Sequence, residues 1–266
     1  MIKDNTIKHV DMGQYARIEY SKFNTNTQKE YPIQRLNESE YLVKSTGEIK
    51  NYSKKDLRSN NKTNFKKTFQ DFRDILFANL SENDNWIFVT LTYRNGKKNT
   101  ENLTKDFYSF HKKMKRKYGP HEYIYCLELT EKCDWHIHCI LIFECKALSI
   151  SEDDINKFWK CGIANVKEVS DAKGIINYLT LYGLNISKYD EIFKKSKKVT
   201  LENYPKNLRL YRYSQGIKKP KINYLNFDDA FEKMQNYELI NFNSVPFYNE
   251  ATNYKNEFYY EFHIKH

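Results

Sequence analysis

Cysteine is sparse and unpaired in this chain: five residues among 266, an odd number with no regular spacing. A disulfide framework needs paired thiols, so reduced cysteines and a cytoplasmic setting are the expectation. No window of about 18 uncharged apolar residues occurs, so no membrane-spanning helix and no membrane partner are expected. The start, Met1-Ile2-Lys3-Asp4-Asn5, has no apolar stretch of the signal-peptide kind. No G-x-x-x-x-G-K-[ST] run occurs, which removes the P-loop ATPases and any expectation of a nucleotide cofactor. No internal repeat is visible. Acidic residues are outnumbered: 34 Asp and Glu against 44 Lys and Arg leave a net charge of +10 and a pI near 9.1. Excess positive charge concentrates polyanions, which makes nucleic acid the first partner to consider. Aromatics are plentiful, with 22 Tyr and 17 Phe, enough for a sizeable core.

Residues 1–63 read as a polar N-terminal extension rich in Lys, Asn, Ser and Thr. Within it, Tyr41-Leu42-Val43 and Thr46-Gly47-Glu48-Ile49 suggest a small hairpin, and the rest looks loosely structured. Residues 64–195 carry the periodic segments. Phe65, Phe69, Phe72, Ile75, Leu76 and Leu80 recur at helical spacing. Trp86 to Tyr93 is a strand. Leu103, Phe107, Phe110, Met114 and Tyr118 mark a second helix whose other side carries Lys112, Lys113, Lys115 and Arg116. Strands over 122–129 and 135–143, a helix over 153–159, a strand over 163–169 and a helix over 171–184 follow. This order predicts an α+β domain with a mostly antiparallel five-stranded sheet and flanking helices, of the split βαβ (ferredoxin-like) kind. Residues 196–266 read as a basic segment followed by an aromatic and acidic tail.

The most informative stretch is Glu128 to Phe143. In a strand, residues two apart share a face, so His136 and His138 project together. A hairpin turning near Lys132 brings Glu128 beside them. Two imidazoles and one carboxylate on one face suit a divalent ion with coordination positions left open. The same donors also suit Fe(II), so a non-haem iron oxygenase is an alternative. A zinc site using Cys133, Cys145 or Cys161 is another, although these cysteines lack the paired spacing of zinc modules.

About forty residues later stands Asn177-Tyr178-Leu179-Thr180-Leu181-Tyr182. Residues four apart share a helix face, so Tyr178 and Tyr182 point the same way. Taken alone, both read as core aromatics beside Ile175 and Leu179. Beside a metal site in a basic protein they gain a second reading. A phenol is a weak nucleophile at neutral pH, and a neighbouring cation favours the phenolate.

Phe88-Val89-Thr90-Leu91-Thr92-Tyr93, His136-Ile137-His138 and Tyr178-Leu179-Thr180-Leu181-Tyr182 together resemble the three motifs of the HUH endonucleases. Their order resembles that of the rolling-circle replication initiators (Rep) of phages and plasmids. The resemblance covers about residues 40–220. It implies that His136 and His138 are the metal pair, with Glu128 as the acidic ligand. Tyr178 matches the nucleophile and Tyr182 the second tyrosine, with Mg²⁺ or Mn²⁺ as the metal. Trp159 with Gly162 resembles the segment before the last strand. Arg212 to Pro220, including Lys218 and Lys219, resembles a basic tail segment of phage-type members. One position departs: many members carry a Lys three residues after the first tyrosine, where this chain has Leu181. Lys173 and Lys188 are candidates for its role.

The implied activity is cleavage of single-stranded or origin DNA by tyrosine attack, starting rolling-circle replication in a bacterial cytoplasm. Duplex opening and synthesis would fall to a host helicase and polymerase. Thr90 and Thr92 are expected to position ligands or DNA, Tyr93 to stack on bases, and the lysines of the 103–118 helix to bind phosphates. The alternatives within the same fold are a single-strand transposase, a relaxase, or an inactive DNA-binding regulator.

Overall fold

The structure is a computed structural model. It describes residues 7–22, 33–52, 62–81, 85–130, 132–144, 150–167, 171–184, 204–205, 208–249 and 254–265. In chain order, β1 (Ile7–Asp11), β2 (Tyr15–Ser21), β3 (Ile33–Arg35), β4 (Glu40–Val43) and β5 (Glu48–Asn51) come first. Then come α1 (Lys62–Asn79), β6 (Asn85–Tyr93), α2 (Leu103–Tyr118), β7 (His121–Leu129) and β8 (Trp135–Phe143). They are followed by α3 (Glu152–Phe158), β9 (Gly162–Lys167), α4 (Ala172–Leu184) and β10 (Tyr211–Tyr213). The chain continues with β11 (Lys221–Leu225), α5 (Phe227–Met234), β12 (Tyr237–Asn249) and β13 (Tyr254–Lys265).

The chain divides into two compact units, one of residues 55–219 and one of residues 1–54 with 220–266. The first holds a five-stranded sheet in the order β10-β7-β8-β6-β9, antiparallel throughout. This is the expected α+β sheet, with the hairpin β7–β8 running back beside β6 as in a split βαβ. Its fifth strand, β10, comes from the basic segment that the sequence placed outside the core.

Alternation along the strands gives the sheet two distinct faces. On one face Leu91, Tyr93, Tyr125, Leu127, Ile137, Cys139 and Leu141 are buried with Phe107, Phe110 and Met114 of α2 and Ile155 of α3. Phe107, Phe110 and Met114 recur at three- and four-residue steps and are fully buried, so the apolar stripe of α2 holds it to the sheet. The other face carries Phe88, Thr90, Cys126, Glu128, His136 and His138, and meets α1 and α4. Phe72 of α1 stacks on Tyr211 at 4.7 Å, and the Phe88 and His138 rings both meet Tyr178 of α4 edge-on.

The second unit corrects the reading of two separate extensions, 1–63 and 196–266. Its five-stranded sheet, in the order β11-β1-β2-β13-β12, is woven from both ends of the chain. β1 pairs with β11, and β2 with β13. Ile7 and Ile18 of the N-terminal strands pack with Ala230 of α5. The expected hairpin at 41–49 is present as β4–β5, with β3 alongside.

Beneath α2 lies a pair of histidines with a pH consequence. His111 of α2 and His121 of β7 meet edge-on at 4.8 Å, and the Nε2 of each is buried without a hydrogen-bond partner among the described residues. Burial, then the neighbouring His121 and Lys115, lower the His111 pKa to about 4; burial lowers that of His121 as well. Glu122 opposes both shifts. An unfolded histidine titrates near 6.5. The unfolded chain therefore takes up protons first as pH falls. The stability these residues contribute is complete above about pH 6.5 and is lost toward pH 4. Thermal unfolding followed by circular dichroism should show a falling midpoint over that window. His111→Phe, which keeps a ring against Phe107, should make the fall shallower.

Candidate metal and tyrosine site

The hairpin register builds the site. Glu128 stands directly opposite His136, and Cys126 opposite His138, across β7 and β8. On the other side of β8, Thr90 pairs with His138 and Thr92 with His136. A turn closes the hairpin: the Thr130 N–H donates to the Asp134 carbonyl at 2.9 Å, and the Asp134 N–H donates to Thr130 Oγ1 at 3.1 Å. Cys133 takes a positive φ of 59° in that turn.

Both imidazoles are held from behind. Thr90 Oγ1 lies 3.2 Å from Nδ1 of His138, and Thr92 Oγ1 lies 3.3 Å from Nδ1 of His136. The two threonines therefore position ligands, one of the two roles expected of them. Phe88 stacks on the His138 ring at 5.6 Å and 13°. With Nδ1 engaged, Nε2 of His138 turns to Glu128 and contacts its Oε2. Burial lowers the His136 pKa, His138 lowers it further, and Glu128 opposes the shift, so neutral imidazole is favoured at neutral pH. Neutral imidazoles backed by hydroxyl groups, with a carboxylate opposite, have the chemistry of a divalent-cation donor set. As placed, Glu128 and His138 touch each other. Among the described residues, no group of three His, Cys, Asp or Glu side chains is arranged to hold an ion.

Tyr178 reaches this cluster from α4. Its ring meets His138 edge-on at 5.6 Å and 85°. Burial pushes its pKa up to about 12, with Glu128 and Cys126 adding to the shift, so the phenol is neutral at pH 7. A cavity of about 30 Å³ opens among Glu128, His138, Tyr178, Cys126 and Tyr204, room for a water or an ion and not for a nucleotide. Tyr204 was missed in the sequence because it lies in a basic segment without periodicity. It is buried, and its hydroxyl accepts from the Leu129 N–H and donates to the Leu127 carbonyl, both at 3.1 Å. It thereby pins the strand on either side of Glu128. On α4, the Asn177 side chain accepts from Arg73 of α1 at 3.4 Å, next to Tyr178.

Residues 86–188 match the model of a replication-associated protein family, that of ORF2. No curated protein and no solved structure matches the chain. The family match begins with β6 and takes in Thr90, Thr92, Glu128, His136, His138 and Tyr178, so it covers the sheet end described above. It ties this stretch to proteins of DNA replication.

Other expected site residues fall elsewhere. Tyr182 continues the α4 backbone one turn past Tyr178, and its side chain lies outside the described residues. Lys188 and Cys145 also lie outside them. Lys173 is exposed, five residues before Tyr178 and thus about 140° around the helix. Tyr93 is corrected from a base-stacking residue to a core residue. It points to the α2 face, is 9% exposed, and donates to Asp106 at 2.9 Å. The basic side of α2 is likewise on the wrong face of the sheet for this site. Lys112, Lys115 and Arg116 lie there, while Lys113 donates to the Phe158 carbonyl at 2.9 Å. Lys218 and Lys219 sit at the opposite end of the sheet from His136. The Lys218 backbone is clamped by the Asn79 side chain through two 2.8 Å bonds. Cys133 is exposed in the hairpin turn, and Cys161 lies just before β9. Among the described residues no helix is long and apolar enough to cross a membrane.

Tyr204→Phe keeps the ring and removes both strand bonds. It leaves the buried Leu129 N–H without its acceptor, which costs about 1–3 kcal/mol. Chemical denaturation should report a loss of that size for the 55–219 unit. A change below about 0.5 kcal/mol would show that Tyr204 does not hold β7.

Proposed function

We propose that this chain cuts single-stranded DNA at a replication origin and stays covalently attached to it. The contact of Tyr178 with His138, beside Glu128 and inside the stretch matched by replication-associated proteins, is the observation that carries this reading. In the proposed step, Tyr178 Oη forms a bond to the scissile phosphorus while the bond from phosphorus to O3′ breaks. The phenol gives up its proton, and the departing O3′ takes one up as a free 3′-OH that primes synthesis. The 5′-phosphotyrosyl link conserves the bond energy for rejoining. Tyr182, one helical turn on, is the proposed second nucleophile.

Glu128, His136 and His138 would hold Mg²⁺ or Mn²⁺. When bound, such an ion supplies the charge that polarises a phosphate oxygen and favours a phenolate otherwise disfavoured by burial. Thr90 and Thr92 keep Nδ1 of each imidazole occupied, so Nε2 faces the ion. Phe88 and Leu179 wall the nucleophile from bulk water. Opening duplex DNA and extending the 3′ end would be left to a host helicase and polymerase, because the chain contains no P-loop.

The test is incubation of the full chain with single-stranded fragments of its own replicon and Mn²⁺, followed by peptide mapping of the adduct. DNA attached to Tyr178 is expected, with none formed by Tyr178→Phe or in EDTA. His136→Ala and His138→Ala should lower cleavage by orders of magnitude in folded protein. Thr90→Val removes only the Nδ1 partner of His138 and should weaken Mn²⁺ affinity about 10–100-fold. DNA attached to another residue, or cleavage undiminished in EDTA, would overturn the reading.

A further inference from the structure

Beside the small cavity at Glu128 lies a larger one of about 410 Å³, which wraps the outer edge of β10. The two share Thr68, Leu210 and Tyr211, so they form one continuous depression. The larger part is lined by Asp71 of α1, Tyr108 of α2, and Arg209, Arg212 and Tyr213 on and before β10. Tyr211 is the register partner of Cys126, and Glu128 lies two residues further along β7. The step between the two parts is thus about 7 Å along one strand, a short reach for a chain with phosphates at every link.

We infer that this pocket is a subsite for a nucleotide flanking the phosphate that Tyr178 attacks; the inference rests on the proposed single-strand cleavage. Four observations meet there. Arg209 is exposed, and Arg212 is partly exposed. The Arg212 Nε is shielded from solvent without a hydrogen-bond partner among the described residues, a donor already stripped of water and awaiting an acceptor. An arginine fork matches a phosphate bidentately. Phe72, Tyr211 and Tyr213 form a ladder of near-parallel rings at 4.7 and 6.3 Å, and Tyr108 is 44% exposed at the other wall. Such rings accept a base on their faces without reading sequence. The fourth is Asp71. A carboxylate is out of place in a site for bare anions, but it accepts hydrogen bonds from the exocyclic amino group of a base. Phosphate donors, ring faces and one acceptor together describe a nucleotide. The space fits as well, since the pocket exceeds the Glu128 cavity more than tenfold.

The test is binding of a fluorescein-labelled oligothymidine of about twelve nucleotides to the full chain in EDTA, so that no cleavage occurs. Affinity is followed by anisotropy across a salt series. Arg209→Gln with Arg212→Gln should weaken binding about tenfold at low salt. It should also lower the log–log salt slope by about 1.4, two phosphates at about 0.7 each for a single strand. Arg212→Lys should keep most of the slope. Lys112→Gln with Lys115→Gln removes the same charge from the opposite sheet face and should leave the slope unchanged. If the double arginine variant does not fold, Arg209→Gln alone should lower the slope by about 0.7. Tyr213→Leu should weaken binding without changing the slope.

Wild-type affinity and slope in the arginine variants would overturn the subsite and leave the cleavage reading standing. An equal effect from the α2 lysines would also overturn it, because charge anywhere would then suffice. Arginine effects as expected, alongside a Tyr178→Phe variant that still forms the adduct, would sink the tyrosine assignment and keep the subsite. A wild-type chain that binds no single strand would sink both.

Discussion

The antiparallel register of β7 against β8 sets Glu128 opposite His136, and the register of β8 against β6 sets two threonine hydroxyls behind the two imidazoles. Side chains on a strand alternate between faces. A slip of one residue would therefore send Glu128 into the α2 core and bring Leu127 or Leu129 to the polar end. The burial of Leu127, Leu129 and Ile137 on the far face opposes that slip, as does the Tyr204 hydroxyl that bonds to β7 on both sides of Glu128. The polar cluster thus keeps its geometry because apolar residues on the other face allow no alternative.

Two helices complete the arrangement, and each does so through its apolar face. α4 brings Tyr178 to His138 because Ile175, Ile176 and Leu179 bury around it. α1 closes the depression with Phe69 and Phe72, and its Arg73 ties to Asn177, the neighbour of the nucleophile. In this position the phenol is held neutral, through burial and the Glu128 carboxylate. An arrangement that suppresses its own nucleophile until positive charge arrives fits a cut that should occur only on a properly loaded site.

Much of this was legible in the sequence because it is written in short-range periodicity. The alternation from Trp86 to Tyr93 and from Trp135 to Phe143, and the helical spacing in α1, α2 and α4, placed the elements within a residue or two of where they stand. The pairing of Glu128 with His136 followed from hairpin geometry alone. The misreadings share a cause. Tyr93 follows Thr92 directly, so the same alternation that aims Thr90 and Thr92 at the histidines must aim Tyr93 away from them. The charges on α2 identify its solvent side but say nothing about which sheet face the helix covers. The second unit depends on β1 and β2 meeting strands more than two hundred residues away, and no local pattern reports that. Tyr204, Arg209 and Arg212 gain their roles only when β10 joins the edge of the sheet.

The central claim is that register alone assembles a cation site from Glu128, His136 and His138, and Mn²⁺ electron paramagnetic resonance on the full chain addresses it without any DNA. The account predicts a single tightly held Mn²⁺ whose spectrum carries nitrogen coupling from imidazole. That coupling should weaken in His136→Ala, and the bound ion should be lost in Glu128→Ala while circular dichroism stays unchanged. Mn²⁺ that remains free in solution, or that binds Glu128→Ala as it binds the wild type, would contradict it.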